Sequence, residues 1–172
     1  HTSDYSSMTT LAHEMGHAVH SFVSYQNQTP MYQDYSIIVA ETASTLFEGL
    51  VFESLYKKAT AENKVKLLHD KIMRDIATVQ RQIAFFNCEL EIHNTIEKNG
   101  AMSGAELAAC MQKHLVSYLG SAVEVTPDDG YTYTYVRHLR YGFYVFTYAY
   151  GQLMSSLLVK DYHADKKNLT KI

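Results

Sequence analysis

A chain of 172 residues, 47% of them apolar, is long enough for one hydrophobic core and too short for two full domains. Fifteen basic against eighteen acidic side chains leave a formal charge of -3 with no basic run to follow a phosphate backbone, so nucleic acid is excluded as an expected partner. Two prolines and eight glycines are little punctuation for this length, which points to long helices.

The sequence opens on His1 rather than Met, shows no signal-peptide pattern, and closes at Ile172 in a charged segment without an obvious stop, so a piece of a longer protein is expected. A first helix is predicted from Ser6 or Ser7 to about Tyr25, with Leu11, Met15, Ala18 and Phe22 as its apolar stripe. The polar stretch Gln26 to Ser36 contains Pro30 and reads as a loop. A second helix follows from about Ile38 to Ala59 and is expected to bury Val39, Ala43, Leu46, Phe47 and Leu50. Thr60 is the predicted N-cap of a long, unbroken third helix ending at Asn99, where Gly100 supplies a left-handed C-cap.

Ser103-Gly-Ala-Glu106 is a capping box for a fourth helix, closed by Gly120. Cys88 and Cys110 sit in contexts typical of packed helix positions rather than of a disulfide framework or a CxxC site, which favours a reducing, cytoplasmic setting. Tyr131 to Val136 alternates Tyr and Thr but has no second strand to pair with, so it is predicted to be a loop or short extended segment. A last helix should run from about Leu139 to Tyr162. Its stretch Tyr141 to Val159 carries no charge and is long enough to span a bilayer. Four tyrosines, Thr147, Gln152, Ser155 and Ser156 instead make it a buried or cleft-lining helix, and with a mean hydropathy of -0.20 no membrane partner is expected. The predicted class is all-α.

The strongest chemical signal is His13-Glu14-Met15-Gly16-His17, an HExxH pattern inside the first helix. At helical spacing the two histidines are about 40° apart and one turn along, so both imidazoles can reach one ion. Glu14, beside them, is placed to hold a metal-bound water. Chance occurrence at this composition is roughly 3%, weak competition for the functional reading. A tetrahedral catalytic zinc requires a third protein ligand. His20 is the nearest in sequence, but ligation from three successive turns of one straight helix is strained, and Val23 stands where a HExxHxxGxxH pattern needs its third histidine. Glu41 is the better candidate: its helix face continues with Ser44, Thr45 and Glu48 opposite an apolar face, which suits either a wall of a site or a solvated surface. Glu48 is suitably spaced to orient a ligand histidine through its second ring nitrogen.

Half of the fourteen tyrosines lie between Tyr131 and Tyr150. On a helix, Tyr141, Tyr144 and Tyr148 fall within about 60° of one another with His138 a further 60° round, and Gln152 and Ser155 extend the stripe. Such a face can donate to a developing oxyanion, or its rings can simply fill core.

Taken together, Thr10-Leu-Ala-His-Glu-Met-Gly-His17, the stretch Tyr35 to Thr45, and His138 followed by Phe143-Tyr-Val-Phe-Thr-Tyr148 resemble the oligoendopeptidase F branch of the thimet-oligopeptidase-like zinc metallopeptidases. The resemblance spans most of the chain. It implies that His13, His17 and Glu41 ligate Zn2+, that Glu14 is the general base, and that His138 with Tyr144 or Tyr148 holds the scissile carbonyl and its oxyanion. It further implies an all-α channel-type fold that admits short peptides, with residues 1–172 forming a catalytic zinc-peptidase portion that lacks the N-terminal helices of a full family member. Arg137 departs from the family pattern, in which proline is typical before the histidine. Two other readings remain open: a non-catalytic helical fragment that binds peptide or metal, and a related all-α zinc carboxypeptidase. Oligomeric state is not legible in the sequence.

Overall fold

The computed structural model describes residues 4–166, all of whose regular elements are helical. The chain divides into two compact units, one formed by the residues up to Asp75 together with those from Tyr150 onward, the other by Ile76 to Ala149. No helix among the described residues is long and apolar enough to cross a membrane.

The first unit is built on α1 (Tyr5–Asn27), α2 (Ile37–Lys58), α3 (Ala61–Ile76, of which Ile76 belongs to the second unit) and the Tyr150 to Ala164 part of α6 (Phe146–Ala164). Asp4, rather than a serine, caps α1, its carboxylate accepting the Ser7 N–H at 2.7 Å. Ser36 and Thr60 cap α2 and α3 in the same way. The packing of α1 on α2 departs from the predicted stripe. Leu11 and Phe22 are 58% and 62% exposed, and the buried positions of α1 are the small residues Thr9, Ala12, Gly16 and Ser24. The close approach of the two backbones explains the reversal, because a Cβ on Gly16 would stand 2.6 Å from Ser44 Cα and 2.7 Å from the Ala43 carbonyl oxygen. Large apolar side chains have no room on that face and point away from it. On α2 the outcome is likewise inverted. Val39 is exposed and Leu46, Phe47 and Leu50 are half-buried, while Glu41, Ser44 and Thr45 are the buried residues.

The second unit contains α4 (Gln82–Asn99) and α5 (Gly104–Leu119). Phe85, Cys88, Cys110, Met111, Leu115 and Val145 form its core, joined by half-buried Phe86, Val136 and Leu139. The capping box at Ser103 and Glu106 is formed as expected, and a second one joins Thr126 to Asp129 at the head of a 3-10 run, Pro127–Thr134. That run replaces the loop or extended segment predicted over Tyr131 to Val136, the Asp129 cap and Pro127 at its first position favouring a helical start. The unbroken third helix is also corrected: a π-helical turn, Ala77–Arg81, separates α3 from α4, without a Gly or Pro to signal it. Finally, α6 begins at Phe146 and not at Leu139. Arg137–Arg140 is a short 3-10 turn, and Gly142 and Phe143 follow with φ of +62° and +53°, values that no right-handed helix tolerates.

Two outcomes follow for stability. Gly16→Ala forces the added methyl against backbone, and overpacking of this kind costs about 1–3 kcal/mol; thermal unfolding should show a clearly lowered midpoint for this variant, whereas Ala18→Ser on the exposed face of α1 leaves it in place. The caps make a pH-dependent contribution. The Ser103 N–H and then its hydroxyl hold the Glu106 carboxyl low, and the Thr126 hydroxyl and then its N–H do the same for Asp129. A lowered carboxylate stabilises the fold fully above its ordinary value, 4.5 for Glu106 and 3.8 for Asp129, and the gain is lost as pH falls through the lowered value. The midpoint followed by circular dichroism should drop as the pH is taken below these ordinary values, less steeply in Glu106→Gln.

Candidate functional site

In the first unit the turn geometry of α1 sets His13 and His17 edge to face, ring centroids 4.8 Å apart, with their Nε2 atoms separated by 3.2 Å. Glu41 projects from the first turns of α2, and its Oε2 is 3.5 Å from His13 Nε2. One donor atom from each of these three residues falls within 4.8 Å of the others. The Glu41 side chain is 4% exposed, which excludes the solvated-surface reading of its face. Its place is fixed on every side: Ser44 Oγ donates to Oε2 at 3.2 Å, Thr45 Oγ1 donates to the Glu41 carbonyl and to that of Gly151, and a Cβ on Gly151 would come within 3.0 Å of the Glu41 Cβ.

Glu48 meets the expectation set for it. Its Oε1 is 2.7 Å from His13 Nδ1, and Arg74 Nη1 lies 3.6 Å from its other oxygen. The Glu48 hydrogen bond raises the His13 pKa, more than burial lowers it. With the proton on Nδ1 directed to Glu48, His13 turns the lone pair of Nε2 toward His17 Nε2 and the Glu41 carboxylate. Three electron-pair donors then converge. That arrangement fits a cation, and two imidazoles with one carboxylate form a donor set suited to zinc.

Glu14 is exposed beside this group. His20 does not join it. Its ring stacks on Tyr35 at 3.8 Å, Nδ1 is buried without a hydrogen-bond partner, and desolvation followed by the charge of His17 lowers its pKa.

In the second unit, His138 and the two tyrosines come together, though not as a helical face. Tyr148, on the first turn of α6, has its hydroxyl 3.1 Å from His138 Nε2. Tyr144, which precedes the helix, stacks on the His138 ring at 5.0 Å and meets Tyr148 at 5.5 Å. Tyr141 is exposed and touches only the edge of the group, 6.1 Å from Tyr144. What folds the segment is the left-handed pair Gly142 and Phe143, and a residue that sequence reasoning missed holds it. Glu89, 2% exposed on α4, accepts the Phe143 N–H at 2.6 Å through Oε1, while its buried Oε2 has no hydrogen-bond partner. Phe143 itself packs on Phe86 and His93. The available signal was an acidic residue directly beside the apolar positions Phe85, Cys88 and Ile92 of α4, but nothing local linked it to a loop 54 positions on.

Comparison with known proteins gives a consistent family. The profile of Peptidase family M3 matches residues 4–171. The chain is 32% identical over 152 residues to the chromosomal oligoendopeptidase F of Lactococcus lactis subsp. cremoris, covering 88% of this chain and 25% of that protein. It is 31% identical over 157 residues to oligopeptidase PepF of Bacillus subtilis strain 168, covering 88% and 23%. Among solved structures, oligoendopeptidase-F from Enterococcus faecium superposes with a TM-score of 0.74 at 29% identity, over 96% of this chain and 30% of that one. The chain thus spans about a quarter of the length of the curated relatives it matches. An all-α chain with a paired-histidine helix, matched along nearly its whole length by one profile, belongs to Peptidase family M3.

Proposed function

We propose that residues 1–172 are the zinc-binding catalytic portion of a metalloendopeptidase acting on short oligopeptides in the cytoplasm. The observation that carries the reading is the convergence of His13, His17 and Glu41 on one point, with the His13 tautomer set by Glu48. The relatives named oligoendopeptidase F support the substrate class, and the cysteine usage supports the compartment.

His13, His17 and Glu41 would hold the zinc, which when bound would supply Lewis acidity and lower the pKa of water to about 7. Glu14, exposed and adjacent to His13, takes the proton from the attacking water and passes it to the leaving amine, so that one carboxylate serves first as base and then as acid. Arg74 and Glu48 keep the His13 ring in register through its far nitrogen. His138, with Tyr144 or Tyr148, is assigned by family resemblance to the scissile carbonyl and the negative charge that develops on its oxygen. The hydrogen bond between Tyr148 and His138 supports acting as a pair, each group limiting the other's rotation.

Glu14→Gln is expected to retain zinc by elemental analysis while turnover of a short internally quenched peptide falls by about two to four orders of magnitude. Parallel loss of metal and turnover would make Glu14 a ligand. Replacing Tyr144 or Tyr148 by Phe keeps the ring and removes one hydroxyl. The residue that donates to the oxyanion should lose on the order of a hundred- to a thousand-fold in kcat with little rise in KM, and near-normal kcat in both variants would return the tyrosines to packing. Both measurements are made on the chain and at the matching positions of a full-length oligoendopeptidase F, and end-labelled peptides distinguish internal cleavage from a carboxypeptidase.

A further inference from the structure

A second group of metal-ligating side chains lies on the seam between α4 and α5, wholly within the second unit. Glu91, Cys110 and His114 each present a donor atom within 4.8 Å of the others. Cys110 and His114 are one helical turn apart on α5, the same spacing as the HExxH histidines. Glu91 comes from α4, one turn beyond Cys88, and Cys88 Sγ is 3.7 Å from Cys110 Sγ. Each helix therefore contributes two candidate ligands, Cys88-x-x-Glu91 and Cys110-x-x-x-His114.

With zinc–sulfur bonds of about 2.3 Å, two thiolates on one tetrahedral zinc are ~3.8 Å apart, close to the 3.7 Å between the two sulfurs; Cys88 meets the group through Cys110 alone, and its thiol has to turn toward Glu91 and His114 to share their ion. His114 Nε2 and Glu91 Oε2, now 2.9 Å apart and sharing a proton, need open by only a few tenths of an ångström to take adjacent corners. Two thiolates, one carboxylate and a neutral imidazole around Zn2+ leave one net negative charge, and Lys113 Nζ stands 2.7 Å from Glu91 to offset it. Cys88 is 0% exposed and Cys110 nearly so, whereas Glu91 and His114 reach the surface, so an ion has an approach from one side and a closed interior on the other.

We infer that Glu91, Cys110 and His114 form a structural zinc site joining α4 to α5, with the Cys88 thiol turning in as the fourth ligand, distinct from the histidine pair on α1. Binding releases both thiol protons to solvent, S–H bonds being exchanged for two Zn–S bonds with no change of oxidation state.

Cobalt titration of the whole chain tests this separately from the catalytic reading, because only thiolate ligands give the intense sulfur-to-cobalt charge-transfer band in the near ultraviolet. The band is expected in the unmodified chain and in His13→Ala, alongside a second equivalent of zinc by elemental analysis of the unmodified chain. It should be lost in Cys110→Ser. His114→Ala, which changes no buried sulfur, should at least weaken it tenfold in cobalt affinity if Cys110→Ser fails to fold. Absence of the band in the unmodified chain, its persistence unchanged in His114→Ala, or recovery of Cys88 and Cys110 as a disulfide would each overturn the assignment. Loss of the histidine site in the same titration leaves the band untouched.

Discussion

The contact on which the first unit depends is the one made by a missing side chain. Gly16, inside the HExxH sequence, lets α1 lie against the backbone of α2 at Ala43 and Ser44. Only at that separation can the carboxylate of Glu41, three residues before Ser44, stand 3.5 Å from His13 Nε2. The same approach determines what the helices bury. A seam this narrow accepts Ala12, Gly16, Ser44 and Thr45 and no leucine, so the hydrophobic term that usually dominates helix packing is weak here, and the hydrogen bonds of Ser44 and Thr45 do not cross it but hold Glu41 within α2 and tie α2 to the Gly151 carbonyl of α6. A buried carboxylate beside two imidazoles is an expensive arrangement without a positive charge. The geometry of α1 and α2 thus brings side chains able to ligate a metal, and not large apolar ones, to the seam.

This explains which parts of the structure were legible in the sequence. Helix limits set by capping were readable because the cap is local: Ser103 with Glu106, and Thr60 with the N–H group that follows it. The grouping of His13 with His17 follows from helical periodicity alone. Burial was read wrongly along α1 and α2, since periodicity identifies the apolar face of a helix but not which face meets its neighbour. Leu11, Met15 and Phe22 form a genuine stripe, and it is exposed. The π-helical turn at Ala77–Arg81 had no legible sign, because one widened turn requires neither glycine nor proline.

The structure brings His138, Tyr144 and Tyr148 together with Tyr141 only at the edge, and by a geometry other than the predicted helical face. Helical spacing placed His138, Tyr144 and Tyr148 on one face, yet only Tyr148 lies on α6. The chain instead brings them together by turning left-handed at Gly142 and Phe143, and a residue other than glycine at φ +53° needs outside support. Glu89 supplies it from α4 by a short hydrogen bond to the Phe143 N–H, and the aromatic packing of Phe143 on Phe86 supplies the rest. A buried carboxylate with one oxygen engaged and the other without a partner is a costly anchor, of order 1–3 kcal/mol for the unmatched atom. That a fold retains such a cost directly beside the His138 and Tyr148 hydrogen bond argues that the position of this loop matters beyond stability.

The two ligand groups share one construction, and their differences point to different work. In each, a pair of residues one turn apart on one helix meets a glutamate from a neighbouring helix: His13 and His17 with Glu41, Cys110 and His114 with Glu91. Helical periodicity makes such pairs easily, so the construction alone does not distinguish catalysis from structure. The remaining neighbours do. Around His13, no further donor among the described residues joins the group: Glu48 is engaged on the far nitrogen and Glu14 is exposed to solvent. Around Cys110 a further donor, the sulfur of Cys88, stands 3.7 Å away in a core shared with Phe85, Met111 and Leu115. Harder donors with an open side suit a metal that must polarise a carbonyl, and soft donors closed by core suit one that only holds two helices together.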